Sequence, residues 1–134
     1  MALVTRVAQC SMDASQGMFA PSITGNLYAG EALDVGAACY IKAADGKVYM
    51  SNGTAANEAA KFDGFTARAC AIGEPVTLFG IGARFRYGSG LTIGASYFVA
   101  ATAGRLDTAA TTGGLVAIAR ALSATDIRVI LNAA

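Results

Sequence analysis

Short runs of alternating apolar and polar residues, each closed by glycine, make up most of this chain. Residues 47–51, with Val48 and Met50 between polar neighbours, keep the two-residue period of a strand with one face covered. Residues 83–87 do the same: Arg84 and Arg86 point one way, Phe85 and Tyr87 the other. Residues 76–81 are apolar almost throughout and read as a central strand covered on both faces. Further strands are expected over 23–29, 39–43, 62–71, 96–100, 115–122 and 126–131. Asp45 and Gly46 predict a tight primed hairpin turn, because both residue types tolerate positive φ. Residues 52–61, rich in alanine and carrying Asn57, Glu58 and Lys61, fit either a short helical turn or a surface loop.

The pattern is used twice. Gly30, Leu33, Gly36 and Gly46 return as Gly88, Leu91, Gly94 and Gly104, each 58 residues on. Tyr40, Ile41, Lys47 and Val48 return in kind as Phe98, Val99, Arg105 and Leu106. A second echo has an offset of 52 residues: Ala67, Arg68 and Ala69 match Ala119, Arg120 and Ala121, and residues 75–79 match 127–131. It places Arg68 with Arg120 and Glu74 with Asp126. Two copies are too few for a solenoid, which needs at least three stacked repeats. The expectation is an all-β fold, a small sandwich or barrel built from two pseudo-repeated units over about 25–82 and 83–132, with an extended N-terminal arm. As domains this gives an arm over 1–22, with room for a short strand over 2–8, and one β domain over 23–134. In the arm, Met12, Met18 and Phe19 are apolar residues without a local core; a frayed tail and an ordered docking arm both fit them.

The 134 residues are one domain's worth, 54% hydrophobic and only 14% charged. Alanine inflates the apolar share, and no run approaches the roughly 20 apolar residues that span a bilayer, so no membrane partner is expected. The start lacks the basic and apolar regions of a signal peptide, which predicts a soluble, unexported protein. Ten basic and nine acidic residues are scattered singly along the chain, for a net charge of +1. Without a basic stripe in the sequence, nucleic acid is not expected as a partner.

Histidine is absent, which removes the commonest general base and most transition-metal sites. Cys10, Cys39 and Cys70 are an odd set without a close pair, so they read as small buried hydrophobes. Glycine pairs such as Gly80 with Gly82 and Gly88 with Gly90 precede no helical pattern and read as turns. The carboxylates Asp34, Asp45, Glu58, Asp63, Glu74, Asp107 and Asp126 sit mostly in turns, where a bond to a nearby amide is expected. A carboxylate pair for hydrolysis stays the enzymatic alternative. No catalytic, cofactor or metal residues are assigned. Arg68, Arg84, Arg86 and Arg120 are either solubilising residues or interface arginines that fork onto a partner's carboxylates.

The run Gly30, Leu33, Gly36, Tyr40, Ile41, then Asp45, Gly46, Lys47 and Val48, resembles the decoration (cement) proteins of tailed-bacteriophage heads. The likeness continues through Gly64 to Ala67, Gly73 to Leu78, Gly90 to Val99 and Ile118 to Ile127, covering roughly residues 25–132. Such proteins sit on the outer surface of an assembled head and clamp neighbouring subunits. The resemblance therefore implies a structural virion protein rather than an enzyme, made in the host cytoplasm and carried on the capsid surface. Its partners would be the major capsid protein and copies of itself, with a trimer favoured and a dimer possible. The interface candidates are Met12, Met18, Phe19, Arg68, Arg84, Arg86 and Arg120. A tail-fibre or receptor-binding β module is the alternative, since similar units occur there.

Overall fold

The computed structural model describes residues 3–6, 22–23, 27–54 and 57–130, with the backbone alone for 22–23. The first five strands are β1 (Ser22–Ile23), β2 (Ala38–Ile41), β3 (Val48–Met50), β4 (Gly64–Thr66) and β5 (Leu78–Phe79). They form one antiparallel sheet in the order β1-β5-β4-β2-β3. The second sheet holds β6 (Arg84–Arg86), β7 (Ser96–Val99), β8 (Leu106–Asp107), β9 (Ala119–Ala121) and β10 (Asp126–Val129). Its order is β6-β10-β9-β7-β8, the same path through space as the first. The fold is all-β, and neither sheet closes into a barrel. The ambiguous alanine-rich stretch holds a short 3-10 turn, Glu58–Ala60, capped by the Asn57 side chain.

Register follows the spacing of the sequence echo in the first hairpin of each sheet. Ile41 pairs with Val48, and Val99 with Leu106, both 58 residues later. Lys42 N–H donates to Lys47 C=O, and Ala100 N–H to Arg105 C=O, so each hairpin closes over four residues. The turn at Asp45 and Gly46 is thus longer than the expected two-residue primed turn. The Asp45 carboxylate accepts from Lys47 N–H at 3.0 Å, and the wider loop gives it room to do so. Gly46 and Gly104 carry the positive φ, 68° and 76°, that such a loop end requires.

The third strand corrects the shorter echo. Ala38 pairs with Phe65, while Ser96, 58 residues after Ala38, pairs with Arg120. Position for position, Arg120 therefore stands where Phe65 stands, not where Arg68 does. Arg68 lies in a bend beyond β4. A three-residue match of Ala-Arg-Ala carries too little information to outweigh the burial of Phe65.

Alternation then decides which face packs where. In the first sheet Cys39, Val48 and Leu78 face a cluster with Leu27, Ala29, Leu33, Cys70 and Val76. The other face, with Ala38, Phe65 and Phe79, joins the main core. There it meets the inner face of the second sheet: Phe85, Tyr97, Val99, Leu106, Ala119, Ile127 and Val129. Phe65 is the centre of the junction, with ring centroids 4.9 Å from Phe62, 5.1 Å from Phe85 and 6.1 Å from Tyr87, all edge-on. The layers run from a loop ladder through the first sheet and the main core to the second sheet. The ladder is the antiparallel pairing of residues 28–33 with 70–75, bridged at Tyr28 with Pro75 and at Leu33 with Cys70.

The described start of the expected arm belongs to this body. Val4 is buried, its N–H donates to Leu106 C=O at 3.0 Å, and Arg105 Nη2 donates to Val4 C=O at 3.1 Å. Leu3 bridges Asp107, and Arg6 bridges Gly88. Residues 3–6 thus run from the β8 edge toward the chain just beyond β6. A Cβ at Gly88 would lie within bonding range of Thr5 C=O, so only glycine lets this segment seat.

Phe65→Ala should lower stability by about 3–5 kcal/mol in chemical denaturation, the usual cost of removing a buried phenylalanine. Gly88→Ala should unseat residues 3–6, costing about 1–3 kcal/mol. In hydrogen exchange the Val4 amide should lose its protection in Gly88→Ala while the β9 and β10 amides keep theirs.

Candidate functional site: an arginine face on the second sheet

The outer face of the second sheet is built by the residues that alternate with its core. Arg84, Arg86, Arg120 and Arg128 all lie there and are exposed. The register sets three of them side by side across three strands: Arg84 opposite Arg128, and Arg128 opposite Arg120. Ser96 continues the row beyond Arg120, and Asp126 lies opposite Arg86. Neighbouring strands are about 4.8 Å apart. Three like charges at that spacing repel, a cost of a few tenths to about 1 kcal/mol per pair. Arg84 Nε donates to Asp126 Oδ2 at 3.1 Å, which offsets one of them. Among the described residues no acceptor is within reach of Arg120 or Arg128.

Sequence spacing hid this row. The four arginines are spread over 45 positions of chain, from 84 to 128, and only strand pairing gathers them. The expectation of singly scattered charge is therefore wrong for this face, which is a basic stripe. Of the candidates named from the sequence, Arg84, Arg86 and Arg120 come together here. Arg128 was missed, although its alternation with Ile127 and Val129 was the available signal. Arg68 is elsewhere: it donates to Ala69 C=O at 3.2 Å and Pro75 C=O at 3.1 Å, with Glu74 at 3.8 Å. It ties the loop ladder to itself. Met12, Met18 and Phe19 lie outside the described residues.

The charge is divided unevenly along the chain. Residues 83–132 carry five arginines (84, 86, 105, 120 and 128), no lysine, and two acids, Asp107 and Asp126. Residues 25–82 carry Lys42, Lys47, Lys61 and Arg68 against six acids, Glu31, Asp34, Asp45, Glu58, Asp63 and Glu74. Most of those acids accept from backbone amides, as their turn positions suggest. Met50 N–H donates to Glu31 at 2.8 Å, Ile41 N–H to Asp63 at 2.8 Å and Ala71 N–H to Glu74 at 2.6 Å. Ala109 N–H likewise donates to Asp107 at 3.1 Å. The bond from Lys47 N–H, then that from Tyr49 Oη at 2.7 Å, holds the Asp45 carboxyl below the usual aspartate range.

Cys39 and Cys70 are buried and unpaired, as their apolar settings suggest. Desolvation is the largest cause pushing both thiols up. Among the described residues no group of three metal-ligating side chains occurs, and no helix is long and apolar enough to cross a membrane.

Comparison of the chain with protein-family models, with curated proteins and with solved structures finds no match. The arginine face must be read from its own chemistry.

Cys39 and Cys70 should react with a thiol reagent at pH 8 far more slowly in the folded protein than after denaturation, because the thiolate is the reactive form. In carboxyl NMR the Asp45 midpoint should fall below that of a peptide aspartate, and Tyr49→Phe should raise it. A depressed carboxyl contributes stability above its unfolded pKa, so the Asp45 bonds should be lost as pH falls through the folded value.

Proposed function

We propose that the chain is a structural subunit that decorates and stabilises the outer surface of a bacteriophage head by binding major capsid protein. The observation that carries this reading is the exposed arginine face. It gathers four exposed arginines on one sheet face, and among the described residues no acceptor is within reach of Arg120 or Arg128. Arginine is enriched and lysine depleted where protein surfaces meet, and a solubilising face has no need of that bias. Decoration also suits the residues. Many copies on one repeating shell gain by multivalency, so each contact need only be weak. The sequence likeness to head-decoration proteins over residues 25–132 points the same way.

The test is co-sedimentation of the purified chain with assembled heads stripped of their decoration. Saturable binding at a fixed ratio to the major capsid protein is the expected result, with greater resistance of the filled heads to heat. A chain that stays in the supernatant at every concentration, or that binds cell-surface glycans and not heads, would overturn the reading.

A further inference from the structure

The two ends of the layer order are complementary in charge. At one end is the arginine row on the second sheet. At the other is the loop ladder that covers the first sheet, residues 28–33 with 70–75, with Asp34 and Arg68 just beyond its end. With these it carries Glu31, Asp34 and Glu74 against two cations, Arg68 beside Glu74 and Arg6, whose Nη2 lies 3.8 Å from Asp34 Oδ2. Asp34 and Glu74 are well exposed, at 58% and 46% of their side chains. The ladder also exposes Ile72 at 71% and Tyr28 at 45%, apolar side chains of the kind that anchor interfaces.

The packing inside the chain supplies the second argument. The first sheet buries the face of Ala38, Phe65 and Phe79 on the second unit. Register makes Ser96, Arg120 and Arg128 the corresponding positions of the second sheet: Phe65 pairs with Ala38 and Phe79, as Arg120 pairs with Ser96 and Arg128. One unit's outer face is therefore already seated on the next unit within the chain. The same face of the second unit is left open, and it is the charged one.

We propose that the arginine face of one copy docks on the acidic loop ladder of a second copy, joining subunits head to tail through Arg120 and Arg128 on one side and Asp34 and Glu74 on the other. Such a contact uses two different patches, so it closes into a ring when the rotation allows. The facing carboxylates relieve the repulsion in the arginine row and bind its planar guanidinium groups, which lose less hydration than ammonium groups would. Nucleic acid fits this face less well. The chain as a whole is nearly neutral, lysine is absent from this unit, and one of the four arginines already holds Asp126. The inference deepens the decoration reading by naming the subunit's neighbour, and the two fail separately. A ring that forms but ignores heads sinks only decoration, while heads bound by a lone subunit sink only the ring.

The experiment is sedimentation equilibrium of the full chain at about 50 mM and about 500 mM salt, where screening lengths differ severalfold. The wild-type chain should associate at low salt and weaken roughly tenfold or more at high salt. Arg120→Glu with Arg128→Glu should weaken low-salt association by a similar factor. So should Glu74→Arg, and so should Ile72→Arg, which adds the charge at an exposed position without removing a turn hydrogen bond. Thermal melts serve to show that each variant folds. Mixing the arginine-reversed chain with the Glu74→Arg chain should restore association at one to one. A wild-type monomer under all conditions, reversal variants that associate like the wild type, or a mixture that stays monomeric would each overturn the proposal. Duplex DNA binding that Arg128→Glu abolishes, with the mass unchanged, would overturn it in favour of a nucleic-acid face.

Discussion

Phe65 decides how the two sheets meet. Its ring is in edge contact with Phe62 beside it and with Phe85 and Tyr87 from the other unit. Each unit alone offers a handful of strands of two to four residues, too little to bury a core of its own securely. Stacking the outer face of one on the inner face of the other makes a single apolar layer out of two marginal ones. The face left over is then fixed by alternation. Once Phe85, Ile127 and Ala119 are inside, Arg84, Arg128 and Arg120 have to be outside.

Much of this was legible before any coordinates. The two-residue period at 83–87 gives the facing of Arg84 and Phe85 directly, and the 58-residue echo gives the register of both hairpins. Turn residues marked most of the strand ends. What stayed hidden depends on pairing between distant segments. The Ala-Arg-Ala echo misplaced Arg68 because short alanine-rich matches recur by chance. The arginine row was invisible because its members meet only through the register of β10 with β6 and β9. Residues 3–6 read as part of an arm, since nothing local says that Val4 will lie against Leu106.

The charged face and the capping carboxylates share one economy of design. Bonds to backbone amides fix the segments at Glu31, Asp63 and Glu74, all three in the first unit. The second unit has few acids to spare for its arginines. An uneven division of charge follows from where the backbone needs support.

Asymmetry of this kind also limits apolar stacking. Because Arg120 and Arg128 stand where the first sheet has Phe65 and Phe79, the molecule ends after two layers. Aromatic residues at those places would offer every copy a greasy end able to accept another, and like would pile on like into a filament without a last member. The arginines thus let one pattern be repeated inside a chain without leaving an apolar face at its end.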